Sequence, residues 1–245
     1  ASYWISIPAV AIAFVGYVTV FVPALGQAPV AQAGVALALI WGLGLVSLRG
    51  ASDASLVQLI MTVLKILPIL LIIGLGAVAG EMANLPAVNP SGGTFIGVLA
   101  TTALLTMWAF AGLESGTIPA GEVRDPAKTV PRATVIGTIT VAIIYIGSTA
   151  AVMALVPADQ LAASTSPFAD AARHLGPWGG PLVAIGALVS TAGALNGIIF
   201  LSGQLPMAVA LDRLAPKFFA ATNGRGAPKY SLLISLILGS ILLIA

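Results

Sequence analysis

The sequence predicts an all-α membrane protein with seven transmembrane helices. Three observations carry this reading. Apolar residues fill 59% of the 245 positions and charged residues only 7%, against about a quarter charged in an ordinary soluble domain. The apolar residues gather in runs near the ~20 residues that cross ~30 Å of hydrocarbon as a helix. These runs lack strict alternation, and an open strand in lipid would leave its backbone groups unpaired.

Turn chemistry divides the runs into spans at residues 3–22, 31–48, 55–79, 95–118, 133–156, 178–206 and 229–245. The second and the last are at the short limit for a crossing. The first span opens without an initiator Met or charged leader, and the last stops while still apolar. The chain is therefore expected to be one membrane domain, 1–245, truncated at both ends. Pro119, Pro126 and Pro131 are expected to end helices and stiffen the turn between the fourth and fifth spans. Ser166-Pro167 should open a short helix outside the membrane that carries Asp170, Arg173 and His174.

The loops alternate in charge. Arg49, then Arg124, Lys128 and Arg132, then Arg213, Lys217, Arg225 and Lys229 fall on one side, and only Arg173 on the other. Positive loops stay cytoplasmic, so the first span should run from inside to outside and the chain should be a multi-pass protein of the cell (inner) membrane. Ten scattered Lys and Arg residues make no nucleic-acid footprint. The absence of cysteine excludes disulfides and Cys-based metal sites. No nucleophile–base pair, phosphate loop or metal cluster appears, and no cofactor is implied.

Two charges lie inside spans. Glu114 sits in Trp108-Ala-Phe-Ala-Gly-Leu-Glu-Ser-Gly116, between Gly112 and Gly116. A charge at membrane depth costs at least ~2.5 to 3.5 kcal/mol on insertion scales, so it marks function by default. The neighbouring glycines and Pro119 weaken the helix there, and a broken helix exposes backbone groups that hold charged solutes. An interruption between Ala109 and Ser115 is expected. The plainer alternative is a kinked helix whose Glu114 bonds a neighbour. Lys65 lies about ten residues into its span, ~15 Å deep at ~1.5 Å per residue. It is either a structural partner of Glu114 or backbone carbonyls, or a lysine that gains and loses a proton during transport.

These residues carry a resemblance. Trp108-Ala-Phe-Ala-Gly-Leu-Glu114-Ser, then Ala120-Gly-Glu-Val-Arg-Asp-Pro-Ala-Lys-Thr-Val-Pro131, with Ser166-Pro-Phe-Ala-Asp-Ala-Ala172, Leu201-Ser-Gly-Gln204 and Asp212-Arg-Leu-Ala-Pro216, resemble the amino acid–polyamine–organocation (APC) superfamily. Within it the chain is most similar to the arginine/agmatine antiporter and related basic amino acid antiporters. The resemblance implies part of a fold of two inverted five-helix repeats, from the family's third helix to its ninth. It also implies that backbone at Trp108, Ala109 and Ala111 faces the substrate's ammonium group, with Gly112 among the substrate-binding residues. Trp108 would gate it, Glu114 would serve gating and proton dependence, and Lys65 would stand where sodium-coupled relatives bind an ion.

The same resemblance puts Phe14 and Ile198 near the substrate, and Asn196 lies close to Ile198 on the same Gly-rich helix. Ala11 and Phe14 stand where the antiporters have an asparagine and a methionine, and Ile198 where they have an aromatic. Asn196 offers either a substrate contact or an interhelical hydrogen bond. Gly193, Gly197 and Gly203 read as sites of close helix approach. The expected function is secondary active transport of an amino acid or related amine, coupled to protons or to exchange, with membrane lipid as surroundings and a homodimer allowed. A membrane channel and an intramembrane enzyme are the rival classes. A channel needs rings of like polar residues, which the spans do not show.

Overall fold

The structure, a computed structural model, describes residues 2–85, 89, 92–107, 123–163 and 167–244. Nine α-helices account for most of them. They are α1 (Ser2–Phe21), α2 (Pro29–Leu48), α3 (Ala51–Ala79), α4 (Phe95–Met107), α5 (Pro126–Leu155), α6 (Ala158–Ala163), α7 (Pro167–Ala172), α8 (Gly179–Leu211) and α9 (Lys229–Ile244). The one β-pairing among the described residues is an isolated bridge, Thr222 to Pro228. Helices α1, α2, α3, α5 and α8 are long and apolar enough to cross a membrane, while the described parts of α4 and α9 are shorter apolar helices.

Helix ends follow local chemistry. Pro126 takes the first position of α5, where a missing N–H costs nothing. Asp125 precedes it in the left-handed region, φ 49°, and its carbonyl accepts the Thr129 N–H at 2.9 Å. Pro131, expected to end a helix, lies instead in the second turn of α5. Its ring forfeits only the bond to residue 127, at an exposed end where water serves the freed carbonyl. Lys128 and Arg132 consequently ride on the first turns of α5 rather than in a loop. Helix α3 begins at Ala51, with Asp53 in its first turn, where a carboxylate complements the helix dipole.

The chain forms two compact units. The first comprises residues 1–67 and 181–245, the second residues 68–180. In the first, α1, α2 and α9 pack on one another around Ile7, Ala11, Val15, Ala36, Ile40, Leu43, Leu232 and Leu236, with Leu195 and Ile199 of α8 in the same core. Apolar burial has little to offer where the solvent is lipid, so close approach and polar contacts define the interfaces. A Cβ on Gly203 would lie 2.6 Å from the Leu232 side chain, so only glycine lets α8 approach α9 there. The Trp4 indole N–H donates to Ser235 Oγ at 2.9 Å. That hydroxyl's single hydrogen goes to Ser231 O at 2.8 Å, with Ser202 O within reach of the same hydrogen at 3.1 Å. Trp41 makes the corresponding contact with Ser240, at 3.1 Å.

In the second unit, the C-terminal half of α3 lies against α5. A Cβ on Gly76 would meet Ala151 Cβ at 2.5 Å and its Cα at 2.6 Å. The last carbonyls of α5 have no intrahelical partners and are capped from elsewhere. Ala154 O accepts the Glu81 N–H and Asn84 Nδ2, both at 2.9 Å. Leu155 O lies 2.9 Å from His174 Nε2; a carbonyl only accepts, so that nitrogen carries the hydrogen. Both α3 and α5 keep rows of exposed apolar side chains, Leu56, Ile60, Val63 and Leu67 on one, Val135, Ile139, Ile143 and Ile146 on the other. Such rows suit a helix bathed in hydrocarbon.

Candidate functional site

The site residues that the structure describes gather on α1, α3 and α8 within the first unit. Lys65 is the central residue of the 29-residue α3, fourteen residues from Ala51 and fourteen from Ala79. At ~1.5 Å per residue that is ~21 Å from either end of the helix. It is half-buried, and among the described residues no hydrogen bond or ion pair reaches it. Ala54, Gln58, Met61 and Lys65 follow one another at steps of four, three and four, which puts them on one stripe of the helix.

That stripe faces α8, which runs antiparallel to it. Asn196 Nδ2 donates to Ala54 O at 3.1 Å and to Gln58 Oε1 at 3.0 Å. A Cβ on Gly193 would meet Met61 Cβ at 3.0 Å. Pairing partners thus descend α8 from Asn196 to Gly193 as they climb α3 from Ala54 to Met61. Asn196 is 1% exposed. With both its amide hydrogens used, its Oδ1 is buried and finds no donor among the described residues.

Around Met61 the two helices and α1 border an open groove of about 290 Å³. Phe14, Ile60, Met61, Leu64, Leu188 and Val189 are among the lining side chains, and Val57 and Ala192 complete the lining. Every one is apolar. Leu64 immediately precedes Lys65, and Met61 lies one turn before it on the same stripe.

Phe14 therefore lines a groove, whereas Ile198 packs, partly buried, against the core of the first unit. Asn196 ties two helices together. Trp108, Ala109, Ala111, Gly112 and Glu114, and with them the expected helix break, lie outside the described residues. So does Glu122. Asp125 pairs with Lys128 at 3.5 Å, but both side chains are more than half exposed and three residues apart on one helix end, a contact worth little. Among the described residues no three His, Asp or Glu side chains gather as a metal ion would need.

Gln58 is a site residue that the sequence does not single out. It is the polar interruption in Leu56-Val-Gln-Leu-Ile60 and stands seven residues from Lys65, so the heptad spacing to a charge inside an apolar run is the available signal. Leu64, Leu188 and Val189 carry no signal, because apolar residues in an apolar helix reveal nothing about which of them line a groove.

Helices of membrane-spanning length and composition, with a lysine at the middle of one, define a multi-pass α-helical membrane protein. The family model described as "Amino acid permease" matches residues 1–245, and the chain belongs to that family. It is 31% identical over 236 residues to the cadaverine/lysine antiporter of Escherichia coli (strain K12), covering 96% of this chain and 53% of that protein. It is 29% identical over 260 residues to the putative arginine/ornithine antiporter of Bacillus subtilis (strain 168), covering 97% and 55%. The chain thus spans about half the length of the curated relatives it matches.

Proposed function

We propose that this chain serves secondary active transport of an amino acid or related amine across the cytoplasmic membrane, by proton coupling or substrate exchange. The observation that carries the reading is Lys65, a cation at the centre of an apolar helix in a chain of the amino acid permease family. A charge at the middle of an apolar helix, with no partner among the described residues, is costly in lipid, and transporters keep such groups where protons or solutes pass. Lys65 and Glu114 are the groups assigned to coupling. Trp108, Ala109 and Ala111 are assigned to the substrate's amino group, Gly112 to substrate binding, and Phe14 to the substrate's side chain. The surrounding lipid and protons are the other partners. An intramembrane enzyme is disfavoured because one amine and one carboxylate on apolar helices define no reaction.

The test is ligand-dependent thermal stability of the intact protein in detergent, across amino acids and polyamines. A substrate raises the melting temperature in step with the logarithm of its concentration over its dissociation constant. Saturable stabilisation by at least one amino acid or amine is expected. A flat response to the whole panel would remove this reading.

A further inference from the structure

Helices α8 and α9 are joined by residues 212–228, on the side that the charge of the loops marks as cytoplasmic. From Arg213 to Lys229 the sequence holds four cations and no acid. The connection is tied down along its length. Asn223 Nδ2 donates to Leu48 O at the end of α2, at 2.7 Å, and its Oδ1 accepts the Arg225 and Ala227 N–H groups. Ser231 Oγ of α9 donates to Phe219 O at 3.0 Å, and the Lys229 N–H to Ala221 O at 3.2 Å. On this frame cationic and apolar side chains share a surface. Phe218, in the short 3-10 helix Lys217–Ala220, meets Tyr230 of α9 edge to face, with ring centres 6.5 Å apart. Lys229 Nζ lies 5.3 Å from the centre of the same Tyr230 ring. Both rings stay exposed. The end of α8 adds to the pattern. The Leu214 N–H bonds Val209 O and the Arg213 N–H bonds Ala210 O, a helix stop that calls for a left-handed residue, most often glycine. Arg213 takes that conformation, φ 62°, which a residue with a Cβ seldom adopts. In such stops the next apolar residue commonly folds back on the helix, yet Leu214 is 80% exposed.

We propose that the α8–α9 connection is a docking surface for an anionic phospholipid of the cytoplasmic leaflet. Arg213, Lys217 and Lys229 take the headgroup phosphate, and Leu214, Phe218 and Tyr230 take the upper part of the acyl chains. Charge complementarity selects the lipid, since each Lys or Arg near an anionic leaflet favours binding about 5-fold. The Lys229 ammonium has three donors, so its place over the Tyr230 ring leaves N–H groups for a phosphate oxygen. The apolar side chains favour a lipid over a free anion, because a free anion would leave Leu214 and Phe218 in water. Position favours it over a soluble acidic partner. The surface begins where the apolar helices α8 and α9 end, at the depth where aromatic and basic residues meet headgroups. A lipid seated there bridges the last turn of α8 and the first turn of α9 through one loop, which the Asn223 contact extends to α2. Binding therefore stabilises the first unit. The proposal stands apart from the transport reading, since it concerns the helix ends and not the centre of α3.

The experiment is a series of thermal melts of the intact protein in neutral detergent, titrated with phosphatidylglycerol or with phosphatidylcholine of the same acyl chains. Phosphatidylglycerol should raise the melting temperature saturably, with an apparent affinity at least ~10-fold tighter than phosphatidylcholine. The difference should shrink as salt is raised. The combined variant Arg213→Gln, Lys217→Gln, Lys229→Gln should lose most of that preference. The combined variant Arg124→Gln, Lys128→Gln, Arg132→Gln removes the same charge at the start of α5 and should keep it. Loss in both variants, in neither, or in the α5 variant alone would overturn the proposal, as would an equal response of the wild type to the two lipids. Inorganic phosphate and polyglutamate, each added alone, should leave the melting temperature unchanged. If either reproduces the shift, the surface takes a free anion or an acidic protein and the proposal fails. Should the combined loop variant not fold, Lys217→Gln and Leu214→Ser are melted singly. Each should weaken the response to phosphatidylglycerol at least ~2-fold, and an unchanged response in both would overturn the proposal.

Discussion

Asn196 on α8 donates its side-chain amide to Gln58 on α3 across 3.0 Å. The same nitrogen reaches Ala54 O at 3.1 Å, so one residue ties two turns of α3 to α8. Both bonds lie on the stripe that ends at Lys65. The position of the central cation is thus linked to α8 through a polar contact seven residues away.

Removing that contact should cost stability. Asn196→Ala leaves the Ala54 and Gln58 carbonyl oxygens without their α8 donor in a partly buried setting, a change worth about 1 kcal/mol or more. We predict a lower melting temperature for the ligand-free protein in detergent, with the change in substrate-induced stabilisation small by comparison. An unchanged melting temperature combined with lost substrate stabilisation would assign Asn196 to the ligand instead.

Two glycines of α3 should respond in opposite ways. A Cβ on Gly74 would meet nothing within 4 Å, while one on Gly76 would meet Ala151 Cβ at 2.5 Å and Cα at 2.6 Å. Alanine is favoured over glycine inside a helix by up to ~1 kcal/mol. Gly74→Ala should therefore be neutral or stabilising. Gly76→Ala should destabilise by about 1–3 kcal/mol, because the backbone of Ala151 has no rotamer with which to yield. Parallel thermal melts of the two variants check the sign, and a matching shift in both would show that α3 and α5 do not meet at Gly76.

The serine between α1 and α9 gives a third prediction. Ser235 Oγ accepts from Trp4 Nε1 at 2.9 Å and donates to Ser231 O at 2.8 Å. Trp4→Phe keeps most of the ring area and leaves Ser235 bonded, so it should cost about 0.5–1.5 kcal/mol. Ser235→Ala strands the indole N–H in a partly buried place and should cost more than Trp4→Phe. The order of the two melting temperatures decides the point.

How far these features are legible in the sequence depends on the kind of residue. Lys65 stands out because a charge inside an apolar run violates the composition around it, and the helices themselves follow from run length. Boundaries shift where polar residues join helices. Ala51-Ser-Asp-Ala reads as a loop, yet Asp53 favours a helix start, which moves Lys65 from about ten residues into its span to the middle of α3. Pro131 reads as a breaker, but near an N-terminus it removes only one bond. The Asn196–Gln58 contact is half legible: an interhelical bond is one of two readings for Asn196, but its partner depends on the register of α3 against α8, which periodicity does not supply. The apolar groove is invisible for the same reason. The lining of Leu64 and Val189 is a property of how three helices meet, not of either residue.

Coupling through Lys65 is tested most directly by uptake of a labelled amino acid into liposomes holding the intact protein, measured as external pH is varied, for the wild type and for Lys65→Ala. We predict saturable uptake that changes with pH in the wild type, and a profile flattened or strongly altered once the central cation of α3 is gone. Saturable uptake with the same pH profile in both proteins would remove Lys65 from coupling, and the absence of saturable flux for every amino acid and amine in the wild type would contradict the transport function as a whole.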